Sequence, residues 1–199
     1  MKKILLVVFS FLFMCMGIFA SDITPNAKSA ILAEESSGKI LYEKNINEKR
    51  SPASMTKIMT LLLTMEALDS GKIKLDDEVT ISSNASGMGG TQIYAEAGSK
   101  VKVDVLIKGI SVASANDAAV AIGEYIGGTL DNFVSMMNKR AKELGCENTN
   151  FVNPHGLDEK DHYTTAYDLF LIARELLKHE DILKYTSIYE DYVTVSGKE

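Results

Sequence analysis

The chain has 199 residues, a formal charge of −6 and 46% hydrophobic residues. That length holds one domain with at most a small extra lobe. The acidic balance argues against a nucleic-acid partner, whose affinity comes from cationic contacts to phosphate.

The first twenty residues stand apart. Lys2 and Lys3 precede an almost unbroken apolar run over 4–19, which ends at Ala20 before the polar Ser21 and Asp22. This predicts a secretory signal peptide over 1–20. The competing reading is an uncleaved N-terminal anchor, but the run is short for a bilayer span. Bulky Phe13 and Met14 argue against a lipid on Cys15. Cleavage removes two lysines, which takes the charge to about −8, and leaves Cys146 as the one cysteine. A single thiol makes no internal disulfide, so stability must come from a packed core. Cys146 follows Lys142-Glu143-Leu144-Gly145 at a predicted helix end, with no nucleophile motif around it, and is read as structural.

Short apolar runs at 30–33 and 39–42, separated by Glu34-Glu35-Ser36-Ser37-Gly38, predict a β-hairpin. Ser51-Pro52-Ala53 is a turn feeding a helix start. Met55, Ile58, Met59, Leu62 and Met65 then recur at helical spacing. Leu61 and Leu63 widen that stripe almost all round, so the helix over 55–68 is expected to be central and buried. A short strand is expected over 78–81 and a mobile Ser/Gly/Asn loop over 82–90. Residues 101–106 alternate like a strand, yet Asp104 fits the cap of a helix running to Ala113, and the helix is preferred. Further helices are predicted over 115–126, 130–144 and 165–177, irregular chain over 150–161, and a strand over 192–195. There is no internal repeat.

Two triplets carry chemistry. Ser54 and Lys57 stand three apart at a helix start, which places them on one face a turn apart. Serine is a poor nucleophile until a neighbouring base takes its proton. A lysine among Met, Ile and Leu residues is pushed toward its neutral form by desolvation. Taken alone, Ser-x-x-Lys also reads as a helix cap beside a solvated lysine. Ser114-Ala115-Asn116 then sets a hydroxyl and an amide near the start of another apolar helix. A hydroxyl there would shuttle a proton to a leaving amine. An amide would bind a substrate carbonyl and the lysine.

Pro52-Ala53-Ser54-Met55-Thr56-Lys57, residues 111–119, and Asn153-Pro154-His155-Gly156-Leu157-Asp158 followed by residues 163–169 together resemble the low-molecular-mass penicillin-binding proteins. These are the serine-type D-alanyl-D-alanine carboxypeptidases of the S11 kind. The resemblance implies a mixed α/β fold of the penicillin-binding protein/β-lactamase type, an antiparallel sheet with flanking helices and a helical lobe. It implies Ser54 as the acylated residue, Lys57 as proton acceptor, Ser114 as proton relay and Asn116 as a substrate-holding amide. His155 falls in a rim segment, with a structural role as the alternative. His162 and His179 belong to no motif and are read as solvated.

The resemblance also implies peptidoglycan stem peptides ending in D-Ala-D-Ala as substrate and β-lactams as covalent inhibitors. No metal or organic cofactor is implied. The place is an exported one, periplasmic or extracellular, at the cell wall on the outer face of the cytoplasmic membrane. The Lys-Thr-Gly that completes this pattern does not occur in the 199 residues. Residues 21–199 are therefore read as the N-terminal part of a catalytic domain whose C-terminal strands are missing. The apolar faces of the hairpin and central helix are expected to lack partners. The alternatives are a penicillin- or peptidoglycan-binding piece without turnover and, less readily, a class A-like β-lactamase. The β-lactamase needs a glutamate that 153–157 does not supply.

Overall fold

The structure is a computed structural model that describes residues 23–195; the signal peptide expected over 1–20 lies outside them. Strands β1 (Ala30–Ala33) and β2 (Ile40–Lys44) pair antiparallel, with Leu32 opposite Tyr42 and Ala30 opposite Lys44. The connecting turn closes through Gly38 N–H donating to the Glu34 carbonyl at 2.8 Å.

A single 3₁₀ turn (Ala53–Thr56) leads into helix α1 (Lys57–Asp69). Met59, Leu61, Leu62, Leu63, Met65 and Ala67 of α1 are all buried, and so are Thr60 and Thr64. A helix apolar nearly all round must sit inside, because no face of it prefers water. The Thr64 hydroxyl donates to the Thr60 carbonyl at 2.7 Å, so its burial leaves no unmet polar atom.

Strands β3 (Glu78–Thr80) and β4 (Lys100–Lys102) form a second antiparallel pair, centred on the buried Val79 and Val101. Both readings of residues 101–106 therefore occur: the strand ends at Lys102, and helix α3 (Val103–Ala113) starts at once. Asp104 lies in the first turn of that helix rather than at its cap. Between β3 and β4, part of the expected loop is a one-turn helix, α2 (Ser83–Ser86). It forms because the Ser82 hydroxyl accepts from Ala85 N–H.

Helices α4 (Asn116–Gly127) and α5 (Leu130–Glu143) pack closely. A Cβ at Gly123 would lie 2.9 Å from the Phe133 ring, and one at Gly127 only 2.8 Å from Phe133 N. The small residues of α4 are what let this fully buried ring in; burying it is worth about 2–3 kcal/mol. Helix α6 (Ala166–Leu176) is capped by Thr165, whose hydroxyl accepts from Asp168 N–H, and it lies along α1. A last 3₁₀ turn (Glu180–Ile182) and the short α7 (Leu183–Thr186) close against α3, where the Tyr185 hydroxyl donates to Asp104.

No strand forms over 192–195, contrary to the alternation there; only Val195 makes an isolated β-bridge. The segment is held by side chains instead, through the Lys108–Asp191 ion pair at 3.1 Å and the buried Val195. The expected lack of partners holds for part of the hairpin, where α6 packs on β1 but Leu32 and Leu41 stay open, and not for the central helix. Leu32 and Leu41 are about half exposed or more (51% and 59%), whereas α4 and α6 cover α1.

Candidate active site

The chain reaches Ser54 along a fixed path. Arg50 exchanges both backbone hydrogen bonds with Thr164, and Pro52 follows two residues later. Ala53 then takes a left-handed conformation, φ 48°. The turn after it is 3₁₀, not the α-helical first turn expected, and in a 3₁₀ turn side chains three apart eclipse. Ser54 is exposed, and Lys57 points from beneath it into the protein with 3% of its surface accessible.

The Lys57 ammonium has three neighbours. It donates to Asn116 Oδ1 at 2.7 Å, to the His155 carbonyl at 2.7 Å and to Ser54 Oγ at 3.4 Å. Burial lowers its pKa from 10.5 to about 8. Two of the three partners can only accept. On deprotonation, the two remaining N–H groups stay with Asn116 and His155, and the lone pair falls where Ser54 is. The arrangement therefore aims a neutral amine at a hydroxyl.

Each acceptor is itself held. Asn116 heads α4 and donates through Nδ2 to the Gly89 carbonyl at 2.8 Å, which fixes the amide with its oxygen toward Lys57. Its backbone N–H donates to the Thr91 carbonyl. The His155 carbonyl is set by a turn over 153–157. There Asn153 Oδ1 accepts from His155 N–H and Gly156 N–H, while Asn153 Nδ2 donates to the Leu157 carbonyl and to Glu159. The Thr60 hydroxyl donates to the Pro154 carbonyl at 2.7 Å, tying this turn to α1. Gly156 has φ 92°, and a Cβ there would lie 1.8 Å from the Ala53 carbonyl oxygen. The turn thus packs directly on the backbone that presents Ser54.

His155 is buried. Its Nδ1 accepts from Leu157 N–H, and burial together with the Lys57 charge lowers its pKa to about 4. His162 departs from its reading as solvated: it is 4% exposed. Its Nδ1 accepts from Val152 N–H, which assigns the proton to Nε2, and Nε2–H donates to Thr56 Oγ1 at 2.8 Å. Burial lowers its pKa, so the ring stays neutral. His179 is partly covered and bonded to Asp69.

Ser114, two residues before Asn116, is the left-handed cap between α3 and α4 (φ 57°), and its hydroxyl makes no hydrogen bond among the described residues. The structure thus brings Ser54, Lys57 and Asn116 into one cluster, with Ser114 beside it in sequence but not bonded to it. Sequence reasoning missed Thr56, Thr60, Gly89, Gly156 and His162. Of these, Thr56 and Gly156 carried a signal, sitting inside Pro52-Ala53-Ser54-Met55-Thr56-Lys57 and Asn153-Pro154-His155-Gly156. Cys146 is buried with its thiol pushed up to about 12, first by burial and then by Asp168, as suits a structural residue.

Helices gathered round a buried central helix that follows the serine turn, with small antiparallel hairpins at the side, make the penicillin-binding protein fold. The solved D-alanyl-D-alanine carboxypeptidase DacD from Francisella tularensis superposes with a TM-score of 0.79 at 40% identity, over 81% of this chain and 39% of that one. Within that fold the chain belongs to the D-alanyl-D-alanine carboxypeptidase family, peptidase S11, which matches residues 18–199. The carboxypeptidase DacF of Bacillus subtilis is 56% identical over 177 residues, 89% of this chain and 46% of that protein. DacA of Escherichia coli is 38% identical over 172 residues, 83% of this chain and 42% of that protein. The chain thus spans less than half the length of these relatives.

Proposed function

We propose that the protein is an exported serine-type D-Ala-D-Ala carboxypeptidase that trims peptidoglycan stem peptides through an acyl-enzyme on Ser54. The observation that carries this reading is the buried Lys57 amine, with two partners that only accept and Ser54 Oγ as the third. Neutral Lys57 takes the Ser54 proton as Oγ attacks the carbonyl between the two terminal D-alanines. The C–N bond breaks, the amine of the terminal D-alanine leaves with a proton, and water then hydrolyses the ester on Ser54. Ser114 is the relay for the leaving-group proton. Asn116 acts chiefly by orienting Lys57, because Gly89 already takes its Nδ2 and a substrate carbonyl would have to displace that bond. β-Lactams acylate the same oxygen. The leader over 1–20 directs the protein outward, to the cell wall.

A second reading is a unit that binds penicillin at Ser54 without turnover. One assay separates the two. With the protein from Ser21 onward, D-alanine release from an acetylated peptide ending in D-Ala-D-Ala is expected, and Ser54→Ala abolishes it. Release that survives Ser54→Ala rejects the mechanism. No release from a protein that still takes a penicillin label on Ser54 selects the second reading.

A further inference from the structure

Asp117 follows Asn116 in the first turn of α4 and is 1% exposed. Its carboxylate takes no part in the chemistry proposed above. Oδ1 accepts from Ile93 N–H at 3.0 Å and Ala118 N–H at 2.8 Å, and Oδ2 accepts from Ala95 N–H at 3.2 Å. So a buried negative charge is answered by backbone N–H groups of its own helix start and of segment 91–95.

Between the two gripped amides stands Tyr94. Its φ is +57° and it is 76% exposed, so its ring packs on little that would hold that conformation. A bulky residue resists the left-handed region, and strain of this kind persists only where the surroundings impose it. Here the imposing groups are the N–H donors on either side of Tyr94, both drawn to Asp117.

The same loop fixes the amide of Asn116. The Thr91 carbonyl accepts from Asn116 N–H and the Gly89 carbonyl from Asn116 Nδ2, each at 2.8 Å. A Cβ on Gly90 would lie 2.8 Å from Nδ2, so the loop lies directly against the side chain. A primary amide can rotate by half a turn, which would present its NH₂ to the Lys57 ammonium, donor against donor. The Gly89 carbonyl prevents that rotation. We propose that Asp117 is a positioning residue: its carboxylate holds segment 91–95 in a strained path, the loop holds the Asn116 amide, and the amide holds Lys57 toward Ser54.

This role presupposes the acyl-serine chemistry proposed above, but its test does not depend on turnover. Lys57 faces the Asn116 amide, Ser54, and the carbonyl and ring of His155. Its midpoint is read by NMR titration of the lysine side chain in the protein from Ser21 onward. Asp117→Asn replaces one acceptor with a donor facing Ala95 N–H. Tyr94→Pro leaves Asp117 intact but forbids the positive φ that the loop needs. In both, the loop lifts, water reaches the amine, and the Lys57 midpoint rises by about one pH unit toward 10.5. Acylation by penicillin at pH 7 falls about tenfold with it.

The direction is diagnostic, because mere loss of a nearby negative charge would lower the midpoint. Ile172→Ala, a core variant chosen for comparable loss of thermal stability, leaves the midpoint in place. An unchanged or lowered midpoint in folded Asp117→Asn, or an unchanged one in Tyr94→Pro, overturns the proposal. If Asp117→Asn does not fold, Tyr94→Pro decides alone. A wild type that takes no penicillin label overturns the acyl-serine reading instead, and the titration still decides the role of Asp117.

Discussion

At the scale of single residues, the chemistry turns on one amine. Lys57 must be neutral to accept the Ser54 proton, and burial brings its pKa to about 8. The acylation rate is therefore expected to rise tenfold per pH unit below 8 and level off above it, as stopped-flow labelling with a fluorescent penicillin would read. A rate flat from pH 6 to 9 would contradict the assignment. Lys57→Arg keeps a cation that does not deprotonate and should lower the rate by about a thousandfold. Linkage has the matching sign. Between about 8 and 10.5 the unfolded chain holds a proton on Lys57 that the folded chain has lost, so this residue makes stability rise with pH there. Ser54 and Lys57 were legible because three-residue spacing at a helix start puts them on one face. His162 was not. Its partner Thr56 lies 106 residues away in sequence, and no local pattern marks a histidine that tertiary packing will bury.

At the scale of elements, the turn over 153–157 matters as much as the helix that bears the serine. It supplies the His155 carbonyl to Lys57 and rests on the Ala53 carbonyl where only glycine fits. Gly156→Ala should cost about 3 kcal/mol or more, since it adds a backbone clash to a left-handed residue. Gly71→Ala, with φ 69° and open space around it, should cost about 1–2 kcal/mol. Urea denaturation of the two variants separates close approach from conformation alone, and equal losses would refute the packing argument. The helices were readable from apolar periodicity. The 3₁₀ turn at Ala53–Thr56 was not, because it reflects the imposed conformation of Ala53 rather than any residue preference. The alternation over 192–195 misled for the opposite reason: it is a strand pattern of which, among the described residues, only Val195 makes a bridge.

At the scale of the whole molecule, two requirements meet at Ser54. The core demands an apolar central helix, and the chemistry demands an amine inside it. The fold reconciles them by surrounding that amine with acceptors drawn from α4 and from the 153–157 turn. On the other side of the serine, Pro52, Met55 and Ile58 line an apolar groove of about 520 Å³ together with Ala30, Ile31, Leu169 and Phe170. That groove and the exposed Leu32 and Leu41 are the open apolar surface expected of the hairpin from its sequence. The burial of α1 was expected from its apolar circumference, but not its cover by α4 and α6, because helix-to-helix contacts leave no trace in a single stretch of sequence. The most direct test of the whole account is a denaturing gel of the protein from Ser21 onward after incubation with a fluorescent penicillin, beside Ser54→Ala. A covalent band on the first and none on the second is the predicted result. An unlabelled protein that circular dichroism shows to be folded, or a band that persists in Ser54→Ala, would contradict an activated serine at this site.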